Sequence, residues 1–523
     1  MLYTEDGTWS AGLINRGFWD MLFNAKEGHA RYFVFGNIIL LTLAQLANTA
    51  LFGHDLSYLP HFVSFFSMLF YSVLAVAPIY LLRNVLVIEA RILLWFLVLL
   101  VPLGDSSFEV LGRLSNIGFT FLFLAFCLLV WRRYSLHDDD RKCIVAADAM
   151  LFICANTNPL CYPLIAIAYS ATALGHWKSR GKPDVKVWFR EYLTKFSIKS
   201  ALTLLSLLLA FFLWMLLREK GVDQALDGTI ESKNLIEALI SRPILYPVIF
   251  PFYQLLDNKF SIFLVIFLLI LILHISKKTV KEQFALISAV LILIVGSVVT
   301  VVSRPALTSI LDAYRTTFPD RYYYGLSLFV FVAIACSLSI GFCFKKNNYQ
   351  RNVANASAGI FISLYLSNSF YLFEFSKTHW YDPPIATFQD DVKRAYRKGA
   401  EPNAGKIMYR VDLHPKPLAA HFPESYVAAT ALGFRFLPAN LVSHQVMIPS
   451  VFSDNAKRYE GKIIRQTPAG RGRGDGWFYV SEGMRFWIPD GQWLKSRNLS
   501  PSEVITISSL EFESIPDSGR SVK

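Results

Sequence analysis

Apolar residues recur along the first 375 positions in runs close to the roughly 17–25 residues that a helix needs to cross a bilayer. The longest predict helices over 60–82, 114–131, 196–217, 284–302, 325–344 and 353–375. Shorter or more polar runs at 91–104, 143–157, 159–175 and 260–276 bring the expected number of spans to about ten. The run 32–52 is apolar too, but it carries Asn37, Gln45, Asn48 and Thr49. That predicts a non-spanning or partly inserted helix, for about ten to eleven membrane helices in all. The first apolar run starts too late for a cleavable signal peptide. After Phe375 no run is long enough to cross a membrane, and alternating or aromatic stretches at Lys406–Val411, Gly476–Val480 and Met484–Ile488 predict strands. The expected fold is an α-helical polytopic membrane domain, residues 1–375, followed by a soluble α+β or mainly β domain, residues 376–523.

Charge sharpens this division. Residues 1–375 hold 31 basic and 24 acidic side chains, about 15% charged, whereas residues 376–523 hold 20 and 15, about 24%. The second value is that of a soluble domain, about 25%. With 54% hydrophobic residues and a mean hydropathy of +0.39, the chain as a whole is neither an ordinary cytosolic enzyme nor a disordered or coiled-coil protein. The net charge of +12 would fit a nucleic-acid partner if its positives formed a patch. They do not. Arg83 and Arg91, Arg132 to Lys142, Lys178 to Lys195, Lys277 to Lys281, and Lys345 to Arg351 fall in alternate short loops, the pattern of cytoplasmic loops. The opposite loops, 53–59, 104–113, 218–259 and 303–324, are longer and mixed in sign, so they and the tail are expected outside the cell membrane. No nucleic-acid binding is expected. The six cysteines lie in or beside apolar runs without metal-ligand spacing, so neither a disulfide framework nor a zinc site follows.

Candidate chemistry gathers in the external loops. Glu5-Asp6-Gly7 precedes an amphipathic stretch, Trp9 to Phe23, and then Gly28-His29-Ala30-Arg31. The segment Pro102 to Asn116 contains Asp105, Glu109, Gly112 and Arg113 in a turn-rich setting. Arg242-Pro243 opens an aromatic, proline-broken run to Tyr253, and Ser303-Arg304-Pro305 is followed by Tyr314-Arg315 and Asp320-Arg321-Tyr322-Tyr323-Tyr324 at a helix mouth.

In this order the motifs resemble those of bacterial multi-spanning glycosyltransferases of the GT-C type, including O-antigen glucosyltransferase-like proteins of serotype-conversion clusters. The resemblance rests on the early Glu-Asp-Gly, the Pro…Glu-x-x-Gly-x-x-x-Asn turn, the Asp-Arg-Tyr step into a late helix and the extracytoplasmic tail. It implies a GT-C-like fold and a polyprenyl-phosphate sugar donor presented at the outer face of a bacterial inner membrane. The acceptor it implies is a surface polysaccharide or lipid-linked glycan such as O-antigen. Asp6 or Glu5 would take the acceptor hydroxyl proton. Arg304, Arg315 and Arg321 would face the donor phosphate, where negative charge develops. Asp105, Glu109 and Asn116 would position the acceptor or a divalent ion, with no cofactor otherwise. Trp9, Trp19 and Tyr322 could stack on sugar or flank lipid. Asp6 is expected at the outer face, beside a glycine that marks a turn, facing Arg304 or Arg321 across a cavity. Members of that group have a spanning helix before the acidic loop, and none precedes Glu5 here; if 32–52 spans, Glu5 and Asp6 lie in the cytoplasm.

Plainer readings stand beside these. Tyr322 to Tyr324 fit an interfacial aromatic belt, the arginines fit snorkelling toward headgroups, and Asp320 fits an N-cap. Asp105 and Glu109 fit a solvated turn. His137-Asp138-Asp139-Asp140 has an Asp-x-Asp spacing but lies in a short basic loop, and Gly472 to Gly476 lacks the Lys-Ser/Thr of a phosphate loop. Trp477, Trp487 and Trp493 fit the core of the tail. The alternative function is a transporter or flippase of a lipid-linked glycan, which would need ionisable groups inside its spans. Asp148 is the chief one available.

Overall fold

A computed structural model describes, in the main, residues 4–25, 33–101, 110–134, 141–168, 230–245, 280–311, 321–342, 359–370, 388–413, 419–433, 454–467, 476–488, 493–508 and 517–521. The chain divides into two compact units. One comprises Met1–Phe18, Thr42–Phe62 and Pro384–Lys523; the other comprises Trp19–Leu41 and Val63–Pro383.

The second unit is helical, and the chain is a polytopic helical membrane protein. The helices before the sheets are α1 (Thr4–Arg16), which belongs to the first unit; α2 (Phe18–Asn24), α3 (Phe35–Phe52) and α4 (Leu59–Leu81), which are shared between units; and, in the second unit, α5 (Ile88–Leu99), α6 (Phe121–Tyr134), α7 (Arg141–Ala155), α8 (Val280–Ser303), α9 (Tyr324–Phe342) and α10 (Gly359–Phe370). Among the described residues four helical stretches are long and apolar enough to cross a membrane: Phe35–Phe52, Leu59–Leu81, Asn116–Tyr134 and Phe284–Ser303. At 1.5 Å per residue the 23 residues of α4 extend about 35 Å, against a hydrocarbon core of about 30 Å. The expected spans at 196–217 and 260–276 lie almost wholly outside the described residues.

Burial ranks these helices. Every residue of α6 from Phe121 to Val130 is buried, the signature of a helix enclosed on all sides. On α4, by contrast, Phe65, Leu69 and Val73 are exposed, as expected of a face turned to lipid. Helices α8 and α9 pack together through Gly296, where any Cβ would collide with Leu326. Small residues that let backbones approach are the usual means of association inside a bilayer. Tyr365 of α10 donates its hydroxyl to the carbonyl of Leu97 on α5 at 2.7 Å, which supplies the partner its buried oxygen needs.

The first unit contains two sheets. Strands β1 (Glu401–Asn403), β2 (Lys406–Asp412) and β3 (Ala419–Pro423) form an antiparallel sheet in sequence order, packed by α11 (Phe388–Lys398) and α12 (Glu424–Leu432). After the short α13 (Asp454–Arg458) come β4 (Ile463–Thr467), β5 (Phe478–Ser481), β6 (Met484–Trp487), β7 (Val504–Ser508) and β8 (Asp517–Ser521). They build a mixed sheet ordered β7-β4-β5-β6-β8. Alternate residues serve its two faces, with Ile464, Phe478, Val480 and Ile507 on one and Ile463, Tyr479 and Val504 on the other. Trp493 is buried in the second cluster, with Trp477 packed on it, and Trp487 packs on the first. Helix α1 lies on β3, and Gly7 makes that approach possible, since a Cβ there would overlap the side chain of buried Leu413.

Candidate active site

Helices α6 and α7 meet at the basic stretch Arg132 to Lys142, so Asn116–Thr120 before α6 and Asn156–Asn158 after α7 lie at the opposite end. Helix α8 starts beside Lys281 and α9 ends before Lys345, so Arg304 and Arg321 share that end. Arg304 follows the last residue of α8, and its backbone N–H still bonds to the carbonyl of Thr300 at 3.2 Å. Arg321 stands in the turn that opens α9. Both guanidiniums converge on Tyr322, their carbons 4.9 Å and 4.7 Å from the ring centroid, and Arg321 Nη2 donates to the Tyr322 hydroxyl at 2.7 Å.

The chemistry of this arrangement is electropositive three times over. Two arginines supply fixed positive charge, and the N-terminus of the 19-residue α9 adds the positive end of the helix dipole. Such a combination suits a phosphate. Arg315 and Asp320, expected in the same loop, lie outside the described residues.

The turn before α6 backs this end of the unit. Phe119 meets the Tyr322 ring edge-on at 6.0 Å, and a Cβ on Gly325 would overlap the carbonyl oxygen of Phe119. Asn116 is buried in the 3-10 turn Asn116–Thr120, which packs on α9. Gly112 has φ +74°, and its carbonyl accepts from Ser64 while that of Arg113 accepts from Ser67, so α4 holds the turn by two hydroxyls at 3.1 Å. Asp105 and Glu109 lie outside the described residues.

Asn37, one of the polar positions of 32–52, is bonded within the helical unit. Asn37 Nδ2 donates to the carbonyls of Leu114 and Ser115 at 2.6 and 2.7 Å. The Gly36 N–H donates to Thr157 Oγ1 at 2.8 Å, and Phe35 N–H donates to the carbonyl of Asn156. The start of α3 therefore sits at the end of α7 remote from the basic loop.

Asp6 lies in the first turn of α1 and is completely buried; Glu5 belongs to the same helix. The Glu5-Asp6-Gly7 motif is helical rather than a turn, and Gly7 serves helix packing. Trp9 is buried on α1, whereas Trp19 on α2 is 69% exposed. Asp6 and Trp9 belong to the first unit, together with the sheet domain, and Arg304, Arg321, Asn116 and Tyr322 belong to the second. In the first unit the His54 ring stacks on Tyr426 at 4.4 Å, and burial lowers its pKa below 6.5. Burial raises the pKa of Glu424 at the start of α12.

Two ion pairs complete the picture. Asp148 receives Arg132 in a two-pronged bond, Nε to Oδ1 at 2.6 Å and Nη2 to Oδ2 at 3.0 Å, at the basic end of α6 and α7. Glu237 and fully buried Arg242 pair at 2.9 Å within the π-helical stretch Glu237–Leu245, which packs on α8 and α9. Pairing at a spacing of five is what a π-turn permits. Among the described residues no group of three or more His, Cys, Asp or Glu could hold a metal ion.

No family model matches the chain. No curated protein matches it either. Solved structures do match, at low similarity. The crystal structure of the Archaeoglobus fulgidus oligosaccharyltransferase complexed with Zn and sulfate shares 14% identity and a TM-score of 0.38 over 76% of this chain and 52% of its own. The archaeal oligosaccharyltransferase AglB from Archaeoglobus fulgidus, in complex with an inhibitory peptide and a dolichol-phosphate, shares 15% identity and a TM-score of 0.37 over 76% and 54%. The chain thus spans about half the length of these structures.

Proposed function

We propose that the chain is a membrane glycosyltransferase that moves a sugar from a polyprenyl-phosphate donor to a surface polysaccharide such as O-antigen, at the outer face of a bacterial inner membrane. The observation that carries this reading is the convergence of Arg304, Arg321 and the N-terminus of α9 on Tyr322, at the end of the helical unit opposite the basic loops. In the reaction the acceptor hydroxyl oxygen bonds to the anomeric carbon as the bond from that carbon to the phosphate oxygen breaks. The hydroxyl proton passes to a carboxylate, and the departing polyprenyl phosphate gains negative charge. Asp6, with Glu5 beside it, is the proposed base. Arg304, Arg315 and Arg321 are the proposed partners of the leaving phosphate, and Asp105, Glu109 and Asn116 are proposed to position the acceptor or a divalent ion.

Asp6→Asn keeps the size of the side chain and removes its proton-accepting carboxylate. General-base catalysis contributes about 10²–10⁴-fold, so transfer from a polyprenyl-phosphate sugar by membranes containing the variant should fall by that order at normal expression. Glu5→Gln should cost less. Unchanged transfer by Asp6→Asn would remove Asp6 from the mechanism and make Asp105 and Glu109 the next carboxylates to replace.

A further inference from the structure

At the opposite end of the helical unit, the segment joining α4 to α5 forms an open cleft of about 480 Å³. Its lining is amphiphilic: Arg83, Asn84, Glu89 and Arg91 contribute polar groups, and Val85, Leu86, Val87 and Ile88 contribute apolar ones. The segment is pinned, so the cleft is preformed. Asn84 Nδ2 donates to the carbonyl of Tyr134 at the end of α6, and the Val87 N–H donates to Ser339 Oγ on α9 at 3.2 Å.

The cations decide what could enter. Arg91 Nη1 donates to the carbonyl of Ile79 at 2.5 Å, while its buried Nε has no hydrogen-bond partner among the described residues. Arg83 is exposed, and the two arginines outnumber Glu89. Beside the cleft, Ile88 and Ile92 of α5 and Tyr80 of α4 are 45%, 49% and 63% exposed, an apolar flank with a ring suited to the membrane interface. We propose that this cleft binds the phosphodiester headgroup of an anionic phospholipid of the cytoplasmic leaflet, between Arg83 and Arg91, with its acyl chains along Ile88 and Ile92. Juxtamembrane arginines attract such lipids in any case; the pinned cleft makes this a discrete site. The inference is independent of the transferase reading.

Native mass spectrometry of the full chain in detergent, titrated with phosphatidylglycerol and in parallel with phosphatidylethanolamine, tests it. Wild type should retain phosphatidylglycerol preferentially. Arg83→Ala should weaken retention about five-fold, the effect of one cation near an anionic surface. Glu89→Gln should strengthen it, whereas a site for the ethanolamine ammonium would lose affinity on that change. Lys142→Ala removes an exposed charge from the same face outside the cleft and should leave retention unchanged. The proposal fails if Lys142→Ala and Arg83→Ala weaken binding equally, if phosphatidylethanolamine binds as tightly, or if millimolar inorganic phosphate displaces the lipid completely. Arg91 also anchors Ile79, so the test rests on Arg83 and Glu89, whose side chains are exposed.

Discussion

Tyr322 holds two like charges near one another. With both guanidiniums within 5 Å of its ring centroid, their carbons are less than about 10 Å apart. They then repel by at least about 0.4 kcal/mol in water and at least about 1.7 kcal/mol at an effective dielectric of 20. Two cation–π contacts at about 0.5–1 kcal/mol each offset that repulsion. The ring is thus part of the cation cluster. Tyr322→Ala should separate the arginines and lower transfer about 5–30-fold, the equivalent of about 1–2 kcal/mol. Tyr322→Phe keeps the ring, loses the bond from Arg321, and should cost only a few-fold. Initial rates on a polyprenyl-phosphate sugar distinguish these, and an alanine variant as active as wild type would reduce Tyr322 to a belt residue. The two arginines were legible as loop cations; their meeting on one ring was not, because it depends on where α8 and α9 end in space. A second residue carries a pH dependence. Burial lowers the pKa of His54, so the folded chain binds its proton less readily than the unfolded chain. The His54–Tyr426 contact is therefore fully present above about pH 6.5 and is weakened as pH falls below it. Tryptophan-fluorescence melts at about pH 7.5 and 5.5 should show a smaller acid-induced drop in His54→Phe than in wild type.

Among the elements, the apolar runs translated closely into helices, 60–82 into Leu59–Leu81 and 284–302 into the C-terminal part of Val280–Ser303. Period and length suffice there because a spanning helix must satisfy its own backbone. The pattern was weaker where tertiary packing overrode local preference. Gly7 read as a turn, yet α1 runs through it: glycine costs a helix about 1 kcal/mol, and seating α1 on buried Leu413 offsets that loss. Glu237 and Arg242, five residues apart, share no face of an α-helix and meet only in a π-turn. Gly325 shows the same dependence on neighbours. The first turn of α9 lies so close to the Phe119 carbonyl that only glycine fits. A backbone carbonyl cannot rotate aside as a long side chain can, so Gly325→Ala should push α9 away from the Asn116–Thr120 turn and displace Tyr322. Overpacking of this kind costs about 1–3 kcal/mol. A lowered melting temperature together with reduced transfer is the expected outcome; normal values for both would mean that the turn yields freely.

Over the whole molecule, composition located a change near Phe375, and the structure divides between Pro383 and Pro384. It could not show that Met1–Phe18 and Thr42–Phe62 join the sheet domain, because composition is read locally and that union is made by long-range packing. The Leu56 N–H donates to Thr430 Oγ1 at 2.7 Å, and Asn15 Nδ2 donates to the carbonyl of His421 at 2.9 Å. These bonds have a topological consequence. Segments tied by such bonds stay together, so α1 and the 53–58 turn are expected on the side of the membrane that the C-terminal domain occupies. The chain leaves that unit at Trp19 and re-enters it at Thr42, and Phe35 starts α3 beside Asn156, remote from the basic loop. If the basic loops are cytoplasmic and the C-terminal domain lies outside, Asp6 is predicted to lie outside with it. Cysteine labelling tests the argument without disturbing the fold. Cys143 is exposed just inside the basic end of α7, and Thr8 is exposed on α1. In spheroplasts, a membrane-impermeant maleimide should label Thr8→Cys, made with Cys143 and Cys343 replaced by serine, before permeabilisation. Cys143 in the otherwise native chain should react only afterwards. Labelling of both from one side would break the link between loop charge and orientation, and the reverse order would put Asp6 in the cytoplasm and end its assignment as an outer-face base.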